Sequence, residues 1–145
     1  MEDRLKIYLA GAIRDDVAYD YEWREHVIKR IGYKTKLLNP MAGKTYDHAN
    51  KQWTMNGIKP TGKVIVKHDF HCVQIADLIL FNFSALLDKY PNIGTLIEFG
   101  YAASFGPKKL LYSIIDPNYT GHSNLGLYKM HPFIEENSAA TFSTL

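Results

Sequence analysis

The chain has 145 residues, 46% of them apolar and 22% charged, the size and balance of one globular domain with its own core. Its net charge of +2 is too small, and its basic residues too scattered, to specify a nucleic acid or a membrane as partner. A single cysteine, Cys72, excludes an internal disulfide framework, and no apolar run reaches membrane-spanning length.

Met1-Glu2-Asp3-Arg4 leads straight into a strand pattern, without the apolar segment of a leader peptide, so a cytoplasmic protein is expected. Leu5 to Ala10 is a short apolar run, predicted as the first and central strand. Gly11-Ala12-Ile13-Arg14 opens the following loop, where small residues at the carboxyl end of a strand leave room for a ligand. No Gly-x-Gly-x-x-Gly pattern follows, so a dinucleotide site has no support.

Tyr19 to Ile31 is predicted helical: Trp23, Val27, Ile28 and Ile31 recur at helical spacing, and Gly32 ends the run. Trp23 reads as a core anchor. Thr35 to Leu38 is a second strand, ended by Asn39-Pro40. Residues 41–62 show little periodicity and read as a long binding loop or lid that carries Tyr46, His48 and Trp53. Gly43-Lys44-Thr45 resembles the end of a P-loop, but Leu38 stands where the first glycine belongs, so that reading fails.

Lys63 to Ala76 is predicted helical, with Val66, Phe70, Val73 and Ala76 on one stripe. His68 and Cys72 lie one turn apart beside Asp69, yet no third ligand stands at fixed spacing, and no metal is expected. Leu78 to Phe83 is a buried strand, Gly94 to Phe105 a helix and Lys109 to Ile115 a fourth strand. A polar, aromatic loop over 116–122 and a short helix within 125–136 complete the chain. The alternation of strand and helix predicts a single α/β domain over residues 1–145, a parallel sheet flanked by helices in a flavodoxin- or Rossmann-like arrangement.

The most informative stretch is Gly94-Thr95-Leu96-Ile97-Glu98-Phe99-Gly100-Tyr101-Ala102. Thr95 and Glu98 have the spacing of a capping box, which would place Glu98 near the positive end of the helix dipole and give it a purely structural duty. The alternative is a carboxylate nucleophile, because ligands of open α/β sheets bind at the carboxyl ends of the strands. Gly100, one turn away, lets another group approach closely.

Four patterns coincide: Ile7-Tyr8-Leu9-Ala10-Gly11; Asp69 ahead of Ile75-Ala76-Asp77-Leu78-Ile79-Leu80; Gly94-Thr95-x-x-Glu98-x-Gly100-Tyr101-Ala102; and Asn124-Leu125. Together they resemble the nucleoside 2-deoxyribosyltransferase family and its N-glycosidase relatives that hydrolyse nucleoside monophosphates. The resemblance covers most of the chain outside 41–62. It implies that Glu98 is the nucleophile, that the Tyr8 hydroxyl holds it, and that Asp69 lies at the sugar and leaving-group side. It also implies that Asn124 contacts the sugar 5′ end across a subunit contact, that Gly11 and Gly94 border the substrate, and that no cofactor or metal is needed. Asp77 matches an aspartate before a strand and equally suits a solvated strand start.

Residue types agree with that chemistry. Breaking an N-glycosidic bond creates oxocarbenium character at the anomeric carbon, which a carboxylate stabilises and then captures. Two positions separate the subclasses. Asn92 stands where the transferases carry an aspartate that contacts the base, and an amide cannot relay a proton. Arg14 follows Ile13 as in the monophosphate hydrolases, where the arginine helps bind phosphate; its structural alternative is an ion pair with Asp15, Asp16 or Glu22.

The expected activity is transfer of deoxyribose between bases, with hydrolysis of 5′-monophosphates as the alternative and a nucleotide-binding module without turnover as a third. The expected partners are a nucleoside or nucleotide and a free nucleobase, in a homo-oligomer. Base-side contacts are expected from residues 41–62, through Tyr46 and Trp53.

Overall fold

The computed structural model describes residues 4–14, 19–84, 92–115 and 131–142. Five strands form one parallel sheet: β1 (Lys6–Gly11), β2 (Lys36–Leu38), β5 (Leu78–Asn82), β6 (Leu110–Ile114) and β7 (Ala140–Phe142). Their spatial order is β2-β1-β5-β6-β7. Numbered within the sheet this is 2-1-3-4-5, the flavodoxin-like order, whose switch point lies between the first and third strands. β1 is therefore interior but not the middle strand; that place belongs to β5.

Side chains alternate across β1 and β5 as the pleat requires. Ile7 and Leu9, with Leu78 and Leu80, pack against Trp23 and Val27 of α1 (Tyr19–Ile31). Tyr8, Ala10, Ile79 and Phe81 face the opposite layer, where Cys72 and Val73 of α2 (Gly62–Ile75) meet Phe99 and Ala102 of α3 (Ile93–Ala103). Phe81, Phe83 and Phe99 make a compact aromatic cluster with ring centroids 5.1–5.7 Å apart. A 3-10 turn (Gly106–Lys108) leads to β6, and α4 (Pro132–Asn137) adds Ile134 to the same core.

Three features depart from the sequence reading. Residues 41–62 are not an unstructured loop: β3 (Lys44–Asp47) and β4 (Gln52–Met55) form an antiparallel hairpin pairing Tyr46 with Trp53 and Thr45 with Thr54. Positive φ angles at Gly43, Lys51, Asn56 and Gly57 make the turns around it. The expected stripe on α2 holds only in its second half, since Val66 is 52% exposed while Val73 and Ala76 are buried. β7, three residues long, extends the sheet by a strand the sequence did not signal.

Candidate active site

The carboxyl ends of β1 and β5 meet at Gly11 and Asn82, which are paired in register. A Cβ on Gly11 would stand 3.1 Å from the Trp23 ring and 3.3 Å from Asn82. A larger residue there would make Trp23 or Asn82 shift by a few tenths of an ångström, so tight packing between α1 and β5 favours glycine. A Cβ on Gly94 or Gly100 would meet no other group within 4 Å.

Below this junction the Tyr8 hydroxyl, on β1, donates a 2.8 Å hydrogen bond to Oε1 of Glu98 on α3. Both side chains are buried. The capping-box expectation for Glu98 is overturned. α3 opens at Ile93 with Asn92 as its cap residue, so Thr95 lies inside the first turn and Glu98 in the second. The Thr95 hydroxyl donates to Oδ1 of Asn92 at 2.8 Å. The Glu98 carboxylate serves no helix end and is held by Tyr8 instead.

Burial pushes the Glu98 carboxyl up to about 7, and the nearby charge of Asp69 adds to the rise; the Tyr8 hydrogen bond and Arg24 oppose it. The Tyr8 phenol is raised well above its ordinary value, first by burial and then by Glu98 and Asp69, so it remains a hydrogen-bond donor at neutral pH. Asp69, on α2, is partly exposed and accepts a contact from His68 Nδ1 at 3.1 Å. His68 also reaches Cys72 Sγ at 3.8 Å. Among the described residues no group of three or more His, Cys, Asp or Glu side chains could hold a metal ion.

The sequence reading missed Arg24. It is fully buried on α1 and donates to the carbonyl oxygens of Leu9 (3.1 Å), Gly11 (2.8 Å) and Ala12 (3.1 Å), and to that of Asp20. It thereby fixes the end of β1 and supplies a positive charge near Glu98 and Asp69. Burial lowers its guanidinium to about 10, opposed by the charges around it. Its signal was present: Arg24 lies on the same helical face as Asp20, Trp23 and Val27, all buried.

Arg14 pairs with Asp20. Its Nε lies 2.7 Å from Oδ2 and its Nη2 2.9 Å from Oδ1. This fork is the geometry that would otherwise suit a phosphate. Asp77 accepts a hydrogen bond from the Lys6 backbone N–H at 2.8 Å, a duty within the sheet. As the cap residue of α3, Asn92 accepts no first-turn backbone N–H through its side chain, and its Nδ2 is buried with no hydrogen-bond partner among the described residues. Asn124 lies outside the described residues, as do Asp15 and Asp16.

The hairpin supplies further surface. Trp53 packs edge-on against Tyr21 and Tyr46, with centroids 5.3 and 5.2 Å away. A cavity of about 170 Å³ is lined by Ile13, Lys44, Trp53, Lys59, Pro60 and Ile65. No described helix is long and apolar enough to cross a membrane.

The sheet thus has the flavodoxin-like order, and a buried glutamate held by a strand tyrosine, with an aspartate's charge nearby, lies against it. The family described as "Nucleoside 2-deoxyribosyltransferase like" matches residues 4–116, and the chain belongs to it. Among solved structures, a 2-desoxiribosyltransferase from Leishmania mexicana is similar, with a TM-score of 0.53 and 23% identity over 75% of this chain and 64% of that one. This chain thus spans less than two thirds of that protein's length. A conserved protein from Enterococcus faecalis V583 gives a TM-score of 0.63 and 16% identity, over 98% of this chain and 92% of that one. The CMP N-glycosidase BcmB from Clostridium botulinum gives a TM-score of 0.53 and 16% identity, over 97% and 88%. No curated protein matches.

Proposed function

We propose that the protein cleaves the N-glycosidic bond of 2′-deoxynucleosides through a covalent Glu98–sugar intermediate and transfers the deoxyribose to another nucleobase. The observation that carries this reading is the buried 2.8 Å Tyr8–Glu98 hydrogen bond at the sheet's switch point. Tyr8 occupies one carboxylate oxygen and leaves the other for attack on the anomeric carbon. Asp69 and the ionised Glu98 together set negative charge beside a centre that becomes positive. Hydrolysis or transfer by a second base then releases the ester, the latter with net retention.

Hydrolysis of nucleoside 5′-monophosphates is the second reading. It is supported by the amide at Asn92 and by the likeness, over nearly the whole chain, to a protein titled a CMP N-glycosidase. The bidentate Arg14–Asp20 pair weighs against Arg14 as its phosphate ligand, because a phosphate would have to displace a carboxylate. A homo-oligomer is supported by the exposed apolar side chains of Val64, Val66, Ile93 and Ile97 on α2 and α3.

The test is incubation with deoxyinosine, deoxycytidine or their 5′-monophosphates, with and without free adenine, resolved by chromatography. A new deoxynucleoside that requires adenine supports transfer. Free base from monophosphates without an acceptor supports hydrolysis. No turnover of any of them would leave a binding module.

A further inference from the structure

We propose that the cavity between the β3–β4 hairpin and the loop after β1 is the slot for the departing nucleobase, with Trp53 as its flat wall and Lys44 as the donor to the charge that develops on the base. The proposal rests on the N-glycosidic reading above. It gives the base-side contacts expected of residues 41–62 a cavity, and adds Lys44, which neither the family match nor the sequence motifs assign.

The walls are mostly apolar. Trp53, Ile13, Pro60 and Ile65 are apolar, and the volume of about 170 Å³ is below the roughly 300–1,000 Å³ of sites that enclose a whole drug-sized ligand. One portion of a nucleoside fits, and its apolar, aromatic lining suits the base rather than the sugar. Tyr21 and Tyr46 hold the Trp53 ring edge-on from two directions, so its orientation is set before a ligand arrives.

Position ties the slot to the nucleophile. Ile65 precedes Asp69 by one helical turn, which puts both on one face of α2. Ile13 stands two residues beyond Gly11, at the end of the strand that carries Tyr8. Lys44 is half-buried and, among the described residues, its ammonium has neither an ion-pair nor a hydrogen-bond partner. Burial lowers it from its ordinary value; the charge of Asp69 opposes this and that of Arg24 adds to it. Lys44 is thus in electrostatic reach of the groups around Glu98, yet faces an apolar space. Lys59 is exposed at the mouth of the same cavity.

The chemistry calls for such a donor. As the C1′–N bond breaks, its electron pair moves onto the base, while a Glu98 oxygen supplies the pair that forms the new C1′–O bond. The charge on the base spreads to its carbonyl oxygens and ring nitrogens. An ammonium hydrogen-bonded there stabilises it, and water supplies the proton as the base departs. Asn92 carries no acidic proton for this task.

The first test compares Lys44→Met and Lys44→Arg with the parent on two kinds of leaving group. Ordinary deoxynucleosides expel a base that becomes negative; 7-methyl-2′-deoxyguanosine, already cationic, expels a neutral one. Lys44→Met is expected to lower kcat on ordinary substrates by about 100-fold or more, and on the methylated one by only about fivefold or less, with partial recovery in Lys44→Arg. Equal losses on both would overturn the role. So would a rise in KM confined to 5′-monophosphates, which would make Lys44 a phosphate ligand.

The second test needs no turnover. Free adenine and cytosine are titrated against the protein while tryptophan fluorescence is read, in the parent and in Trp53→Phe. Quenching that disappears in Trp53→Phe supports the slot, because Trp23 is buried in the core. Quenching without turnover would retain the slot and refute the Glu98 reading. Turnover without quenching, or quenching that survives in Trp53→Phe, would overturn the slot and leave that reading intact.

Discussion

Tyr8 and Glu98 are 90 residues apart in sequence, and the phenol oxygen of one lies 2.8 Å from Oε1 of the other. The contact joins an interior strand to the second turn of a helix in the layer above it. It gives the carboxylate a fixed orientation in a largely buried place. Burial and Asp69 make that carboxylate hard to ionise, and Tyr8 and Arg24 offset part of the cost.

A pH profile follows. The nucleophile must be ionised, so kcat/KM is expected to fall about tenfold per pH unit on the acid side, with a midpoint near 7. Steady-state rates on a deoxynucleoside across that range measure it. A midpoint near the ordinary carboxyl value of 4.5 would show that Glu98 is not held as described.

Glu98→Gln is expected to abolish turnover, by several orders of magnitude, while the fold persists, since the amide oxygen still accepts from Tyr8. Stability should then diverge with pH. A carboxyl raised from 4.5 to about 7 on folding binds more protons in the native state within that window. The parent therefore loses stability as pH rises through it, and the amide does not. The variant should match the parent in acid and exceed it at alkaline pH by on the order of 3 kcal/mol at most. Denaturant titrations at both extremes test the sign. A variant that unfolds at every pH would make Glu98 a structural residue.

Tyr8→Phe is expected to slow turnover by about ten- to a thousandfold through misplacement of the nucleophile. Because the lost hydrogen bond lowers the Glu98 value, the acid limb should also move to higher pH. Unchanged rates with an unmoved limb would remove Tyr8 from the site.

Arg24→Met leaves the carbonyls of Leu9, Gly11 and Ala12 without their buried donor, and removes a positive charge near Glu98 and Asp69. Loss of about 3–5 kcal/mol in denaturant unfolding is expected. In protein that remains folded, the acid limb should again move upward. A stability within 1 kcal/mol of the parent would contradict the buried network.

Static light scattering on the purified protein should give a multiple of 16.6 kDa. Full activity at the monomer mass would separate the site from the exposed apolar faces of α2 and α3.

The layers of this fold were legible because buried parallel strands read as apolar runs and α1 repeats its core residues at helical spacing. The hairpin was not, because Lys44 to Asp47 is polar around Tyr46, and the alternation in Gln52-Trp53-Thr54-Met55 spans only four residues. β7 offers only three residues, too few for a period. Within the site, Tyr8, Asp69 and Glu98 came from the family resemblance; the structure hydrogen-bonds Tyr8 to Glu98 and sets the Asp69 charge near both. The capping box misled because Thr-x-x-Glu spacing cannot say where a helix begins; Asn92 moved that start upstream. Arg24 and Lys44 belong to no motif. Arg24 answers to main-chain oxygens, and Lys44 to a cavity that exists only once the hairpin has folded over the β1 end.

The hairpin shares no ladder with the five-stranded sheet, and it touches α1 through Tyr21 and Trp53. Its residues can be exchanged without disturbing the register that sets Tyr8 against Glu98. On the proposed reading, the attack at Tyr8 and Glu98 and the grip on the departing group through Lys44 and Trp53 belong to separate pieces of chain, and a hairpin transplanted from a relative is expected to alter both the molecule accepted and the speed at which its base leaves.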